Sequence, residues 1–359
     1  MTIVDGSRVE RASASPSRPL DRIKVGALWR PSDVETEVIA QHWPAQVEFL
    51  PSTRSGTPLP IPERRDEVDV VVGLPFYLDA DVLADMTHLR LIHALGHGID
   101  ALREPAILRL LEERGIQVAR TDSASIPVAE YVVMAMVALA RGVFPLRYGL
   151  LQHGSWGQEA RNRRMQGGLG GEISGKRCLI VGYGGIGRQL APRAKALGLH
   201  VTVARRHPSH DPGAAGVDDF VSFKDLDAEL PLADHIVICA PLVAETRRLL
   251  DASRIAQLRP SSVVINVSRP ALVDEAALLR ALTEQRVGGA ALDVWAHEDD
   301  PSVDLPGRSW QEANLIASPH ISGLTREARL RSLAKIGEEL RRFRDGERLE
   351  NLADLGLGY

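Results

Sequence analysis

The segment Val181-Gly182-Tyr183-Gly184-Gly185-Ile186-Gly187 constrains the fold more than any other part of the chain. It follows the apolar run Cys178-Leu179-Ile180 and leads into a helical pattern, so it reads as G-x-G-x-x-G between a predicted strand and a predicted helix. Glycines there permit a tight turn and close backbone approach. The helix that follows presents free N–H groups and its positive dipole end. The segment therefore predicts a βαβ unit on a parallel sheet, with the pyrophosphate of a nicotinamide or similar dinucleotide resting on Gly182, Gly184, Gly185, Ile186 and Gly187.

The rest of the chain repeats the alternation. In the first third, strands are predicted at 23–28, 47–50, 68–72, 89–93 and 116–119, helices at 34–42 and 102–114, and a proline-rich loop at 52–62. A long helix is predicted over 128–141, opened by Ser125-Ile126-Pro127. Its centre, Val132 to Leu139, is apolar on every face and predicts burial all round, either between two domains or against a second subunit. The dinucleotide unit then contributes strands at 177–181, 201–204, 235–240, 262–267, 289–294 and 314–318, with helices at 186–197 and 274–285. A last amphipathic helix is predicted at 325–343.

A chain of 359 residues suits two domains of roughly 150 residues each. The expected division gives 126–320, with its helix 127–141, to the dinucleotide unit. It gives 21–125 together with 321–359 to the other domain, and residues 1–20 to a disordered lead-in. With 43 basic and 47 acidic residues the net charge is −4, which offers nothing to nucleic acid or an anionic membrane. No apolar run is long enough to span a bilayer, and the lead-in lacks the apolar core of a secretory signal. The two cysteines, Cys178 and Cys239, lie in strand-like runs and read as buried thiols of a reducing, cytoplasmic compartment.

Ligands of doubly wound sheets bind beyond the carboxyl ends of the strands. Three polar residues follow three predicted strands at that edge: Arg269 after Val263-Val264-Ile265-Asn266-Val267, Glu298 after Ala290-Ala291-Leu292-Asp293-Val294, and His320 after Ile316-Ala317-Ser318-Pro319. The set suits hydride transfer to a 2-oxo acid. A guanidinium grips the carboxylate through two parallel N–H bonds and polarises the carbonyl. An imidazole donates or accepts the proton near neutrality. A neighbouring carboxylate holds the imidazole in one tautomer and stabilises its protonated form.

Those residues carry a resemblance. The chain, from about residue 22 to 346, resembles the D-isomer-specific 2-hydroxyacid dehydrogenases. It does so through Asn266-Val267-Ser268-Arg269-Pro270-Ala271-Leu272-Val273-Asp274-Glu275, Ala291-Leu292-Asp293-Val294-Trp295 and Ser318-Pro319-His320-Ile321-Ser322-Gly323. Leu91-Ile92-His93-Ala94-Leu95-Gly96-His97-Gly98-Ile99-Asp100 is similar to the family's substrate loop, and Ser125-Ile126-Pro127-Val128-Ala129-Glu130 to the start of its interdomain helix.

The resemblance implies an α/β fold of two Rossmann-like doubly wound domains, a flavodoxin-like substrate domain and an NAD(P)-binding domain. It implies that Arg269, Glu298 and His320 are catalytic, with hydride transfer in the cleft between domains. It places the substrate carboxylate on Leu95, Gly96, His97 and Gly98, and the nicotinamide amide on Asp293. Pro241, Thr246, Val267 and Gly323 complete the implied cofactor set.

Three departures stand out. Pro270 replaces the usual glycine, Asp299-Asp300-Pro301 follows Glu298 where proline normally comes at once, and His97 fills a variable loop position. At the end of the second strand of the dinucleotide unit, the acid expected of an NAD site, about 20 residues beyond the glycines, is replaced by Arg205-Arg206. This predicts NADP, with both guanidiniums at the 2′-phosphate and NAD as the alternative. The overall expectation is a cytoplasmic, homodimeric reductase of a small 2-oxo acid such as glyoxylate or hydroxypyruvate. The alternatives are a phosphite dehydrogenase-like enzyme and a dinucleotide-sensing regulator. A formate enzyme would place glutamine at 298. Specificity is expected in loops near 74–77 and at His97, with a smaller contribution from Arg161, Arg163 and Arg164.

Overall fold

A computed structural model of the chain describes residues 20–50, 64–147, 165, 170–207, 213–297 and 313–355. The lead-in and the loop 52–62 lie outside them. The chain divides into two compact units, Met1–Thr121 with Leu330–Leu355, and Asp122–Arg329 with Gly356–Tyr359.

The first unit is a parallel five-stranded sheet: β1 (Ile23–Ala27), β2 (Val47–Leu50), β3 (Val70–Gly73), β4 (Leu91–Ala94) and β5 (Gln117–Arg120), in the order β2-β1-β3-β4-β5. That is the doubly wound order of flavodoxin-like sheets. β3 and β4 are buried along their whole length, as strands covered on both faces must be, and so read as unbroken apolar runs. Helices α1 (Asp33–His42), α2 (Ala80–Asp85) and α3 (Pro105–Arg114) connect them. Ser32 and Glu35 form a reciprocal capping box that starts α1. The helix predicted from residue 102 is broken. A 3-10 turn, Asp100–Arg103, ends at Glu104 in extended backbone because the next residue is proline, and α3 starts afresh there.

The second unit carries a parallel seven-stranded sheet. Its strands are β6 (Arg177–Val181), β7 (His200–Arg205), β8 (Asp219–Ser222), β9 (His235–Ile238), β10 (Val263–Asn266), β11 (Gly289–Leu292) and β12 (Leu315–Ala317). The order is β12-β11-β10-β9-β6-β7-β8, so the direction of winding reverses between β6 and β9. This is the Rossmann order with one more parallel strand, β12, at the edge. The helices are α4 (Ser125–Arg141), α5 (Gly185–Ala196) and α6 (Glu275–Thr283), with short helical turns between. Asp274 caps α6 through its carboxylate on Ala277 N at 3.0 Å. Helix α7 (Arg326–Asp345) leads back into the first unit, where Leu333, Ile336, Leu340 and Phe343 join the core.

Within the single chain α4 is buried along one face. Val128, Ala129, Val132, Ala135, Met136 and Leu139 pack into the core of the second unit. Met134 and Val137 lie 44% and 40% exposed, and Val143, Phe144 and Leu146 beyond the left-handed Gly142 cap continue that apolar surface. Cys178 and Cys239 are free thiols, as their positions on strands suggested. Burial pushes each up to about 12, and Cys239 Sγ donates to Gly182 O at 3.3 Å. No helix among the described residues is long and apolar enough to cross a membrane.

Candidate active site

The glycine turn sits at the carboxyl end of β6, where the winding reverses. Gly182 has φ +109°, and a Cβ there would lie 2.6 Å from Ala240 N, so the turn is pressed against the backbone that leaves β9. Gly187 faces the Gly182 carbonyl so closely that no side chain fits. Around Gly184 the space is open. Gly184 is also the N-cap of α5, with no side-chain cap and no acid in the first helical turn. A helix end with uncapped N–H groups, a positive dipole and open space before it fits a dinucleotide pyrophosphate.

Next to that turn lies a cluster of cations and rings. The Arg205 guanidinium stands 4.2 Å over the Phe220 ring and 5.8 Å from the Tyr183 ring, and Arg188 lies 4.7 Å over Tyr183. Arg206 Nε donates to Glu245 Oε2 at 2.8 Å. The missing acid at the end of β7 is thus matched by a carboxylate from the segment after β9. Thr246 is buried there, and its hydroxyl donates to Pro241 O at 2.6 Å and accepts Val243 N at 2.9 Å, fixing that segment.

Arg269 and His320 follow β10 and β12 at the same edge. Asn266, 1% exposed, brackets the arginine: its Oδ1 accepts Ser268 N at 3.1 Å and its Nδ2 donates to Arg269 O at 3.0 Å. Ser268 Oγ donates to Ala240 O at 2.5 Å, and Val267 N to Ile238 O at 3.3 Å. Arg269 is extended, at φ −137° and ψ 143°, as the residue before Pro270 must be. Sequence reasoning missed Asn266. Its signal was an amide at the end of an otherwise apolar strand.

His320 is exposed and adopts φ +54°, unusual for any residue but glycine. Its N–H donates to Asp293 O at 2.8 Å, while the Asp293 carboxylate, fully buried, accepts from Ser318, Ile321 and Ser322. Gly323 is tight against Ala124, 3.1 Å from its Cβ to an ideal one.

Leu95, Gly96, His97 and Gly98 follow β4 in the first unit. Leu95 is buried, its N–H donating to Gly73 O at 3.0 Å, and Gly96 faces open space. Glu298, Asp299, Asp300, Arg161, Arg163 and Arg164 lie outside the described residues. No group of three or more His, Cys, Asp or Glu able to hold a metal occurs among the described residues.

A family model described as D-isomer specific 2-hydroxyacid dehydrogenase, NAD binding domain, matches residues 133–322, just over half of the chain. A D-3-phosphoglycerate dehydrogenase of Methanocaldococcus jannaschii is 31% identical over 82% of this chain. The chain spans only 53% of that protein's length. The hydroxypyruvate reductase of Thermotoga maritima is 30% identical, with 76% of this chain and 84% of that protein covered. A D-isomer specific 2-hydroxyacid dehydrogenase from Xanthobacter autotrophicus Py2, solved with NADPH and MES, superposes with a TM-score of 0.73 at 24% identity, over 94% of this chain and 100% of that one. At that identity the likeness is one of fold. The matched domain, the span shared with the relatives and the two doubly wound sheets agree: the chain belongs to the D-isomer-specific 2-hydroxyacid dehydrogenase family.

Proposed function

We propose that the protein is an NADP-preferring reductase of a small 2-oxo acid, of the glyoxylate or hydroxypyruvate type. The observation that carries this reading is the placement of Arg269 and His320 on two strand ends at the edge that bears the uncapped glycine turn. Arg269 binds the substrate carboxylate and polarises the adjacent carbonyl. His320 gives its proton to the carbonyl oxygen in reduction and takes one from the hydroxyl in oxidation. Glu298 orients the His320 imidazole and fixes its tautomer. The backbone of Leu95 to Gly98 receives the carboxylate. The nicotinamide supplies the hydride that goes to the carbonyl carbon. Gly182, Gly184, Gly185, Ile186 and Gly187 seat its pyrophosphate, with Pro241, Thr246, Val267 and Gly323 lining the rest of the site.

The test is nicotinamide absorbance with purified protein, NADPH or NADH, and a panel of 2-oxo acids, with phosphite and formate in the oxidative direction. Oxidation of NADPH by one or more 2-oxo acids is expected. Silence across the panel with tight NADPH binding would refute the reductase reading in favour of a dinucleotide-dependent regulator.

Arg205 and Arg206 favour the 2′-phosphate, and the Arg206–Glu245 pair tunes that preference. Both members are partly exposed, 32% and 46%, so the pair itself is weak. Glu245→Gln is expected to tighten NADPH binding by about 2- to 5-fold, read by nicotinamide fluorescence, by removing the ion pair to Arg206 and a charge of the same sign as the 2′-phosphate. Unchanged NADPH affinity would remove Glu245 from the site.

The apolar surface of Met134, Val137, Val143, Phe144 and Leu146 supports a homodimer. Light scattering is expected to give twice the chain mass. A single-chain mass independent of concentration would exclude the dimer.

A further inference from the structure

The carboxyl end of β4 is tied down through both polar groups of Leu95. Its N–H donates to Gly73 O at 3.0 Å, continuing the ladder with β3. Its carbonyl accepts the hydroxyl of Ser332, from helix α7, at 3.4 Å. Ser332 gives its one proton there, so the 3.3 Å contact between Thr121 Oγ1 and Ser332 Oγ runs from threonine to serine. Thr121 directly follows β5, the other neighbour of β4. Ser332 and Thr121 are 3% and 2% exposed, and all of these residues belong to the first unit. A buried hydroxyl needs a partner. A serine inside a helix ordinarily finds it in a carbonyl of the preceding turn. Ser332 reaches instead to a strand end 237 residues away in sequence. Helix α7 is itself seated against the end of α1. Trp43 Nε1 donates to Leu333 O at 2.9 Å, and Gly337 lies so close to His42 O that no side chain fits.

We propose that Ser332 is a positioning residue for the substrate carboxylate, acting through the Leu95–Gly96 peptide. That peptide is planar and trans, so its C=O and N–H point in opposite directions. Anchoring Leu95 O on Ser332 therefore aims Gly96 N–H away from the buried hydroxyls. The space beside Gly96 is open, and its N–H donates to no acceptor among the described residues. A donor already aimed loses little freedom when an anion arrives. Thr121 acts behind Ser332 by orienting its hydroxyl. Both contacts are long for hydroxyl donors, so the contribution of each is modest. The consequence for substrate binding rests on the proposed role of Leu95 to Gly98 as the carboxylate seat; the anchoring of the peptide does not.

The test is Ser332→Ala. The KM for the 2-oxo acid is expected to rise by about 3- to 10-fold, with kcat and the NADPH Kd by fluorescence both within about twofold. Exchange of the Leu95 amide is expected to quicken by about threefold or more as the strand end loosens. A paired substitution separates positioning from packing. Thr121→Val removes the hydroxyl but keeps the shape, and it is expected to raise KM by less than Ser332→Ala does. Thr121→Ser keeps the hydroxyl and loses a methyl, and it is expected to hold the parental KM. Lost packing alone would rank these two the other way, so the pair decides the matter if Ser332→Ala does not fold. A KM within about 1.5-fold of the parent's in Ser332→Ala, or a Leu95 amide exchanging at the parental rate, would overturn the proposal. So would an NADPH affinity that falls in step with the rise in KM. If the parent protein reduces no 2-oxo acid, the proposed function falls while Leu95 exchange still judges the anchor.

Discussion

Replacing His320 by alanine is expected to lower kcat for 2-oxo acid reduction by about 10²- to 10⁴-fold while leaving the NADPH Kd within about twofold. His320 is the titratable group in its strand-end loop, between Ser318-Pro319 and Ile321-Ser322, so no neighbour in that loop replaces its proton. Its backbone at φ +54° complicates the choice of substitute, because alanine there carries the left-handed penalty that histidine already bears. Asparagine enters that region more readily, which makes His320→Asn the sharper variant. It keeps the loop geometry, lacks a general acid and is expected to match alanine in kcat with a higher Tm. Turnover at the parental rate in either folded variant would remove His320 from the chemistry.

Acid destabilisation in two separate places is the second large effect. His93 in β4 and His235 in β9 are 1% and 4% exposed, and burial lowers each from the usual 6.5 to about 4. His93 Nδ1 faces Ala94 O at 3.2 Å, while His93 Nε2 and His235 Nδ1 are buried without a hydrogen-bond partner. Both imidazoles are therefore neutral in the folded chain at pH 7. As pH falls below 6.5 the unfolded chain takes up these protons first. The associated stability is full above pH 6.5 and is lost as pH falls through about 4. At about 1.36 kcal/mol per pH unit the gap is worth about 3 kcal/mol for each residue. The two lie in different units, so the effects add. The check is the urea midpoint as a function of pH, with His93→Met and His235→Phe each expected to flatten the loss. Curves parallel to the parent's would show that these sites do not set the acid response.

The sequence made the parallel strands legible because buried strands are continuous apolar runs, and it located the glycine turn, Arg269 and His320 because each stands at the end of such a run. The strand β8 was missed. It is an edge strand with an exposed first residue, Asp219, and its four residues carry no distinctive period. Which face of α4 the chain itself covers was hidden by composition, since Met134 and Val137 look no different from the buried Val132 and Met136 until the partners of each face are known. Long-range pairing was the least visible. Arg206 meets Glu245 and Asp293 meets Ile321 and Ser322 across gaps set by topology, and nothing local to those residues announces their partners.

The return of the chain to its first unit makes that unit's core a product of two segments far apart in sequence. The first unit's core includes Leu333, Ile336, Leu340, Phe343 and Leu349, and Ala353 N reaches Val118 O at 2.8 Å beside β5. The buried Glu339 carboxylate further accepts Glu350 N and Asn351 Nδ2, each at 3.2 Å. The first unit's core therefore closes only when residues 330–355 meet residues 20–121 across the whole inserted unit, which makes its assembly depend on contacts distant in sequence.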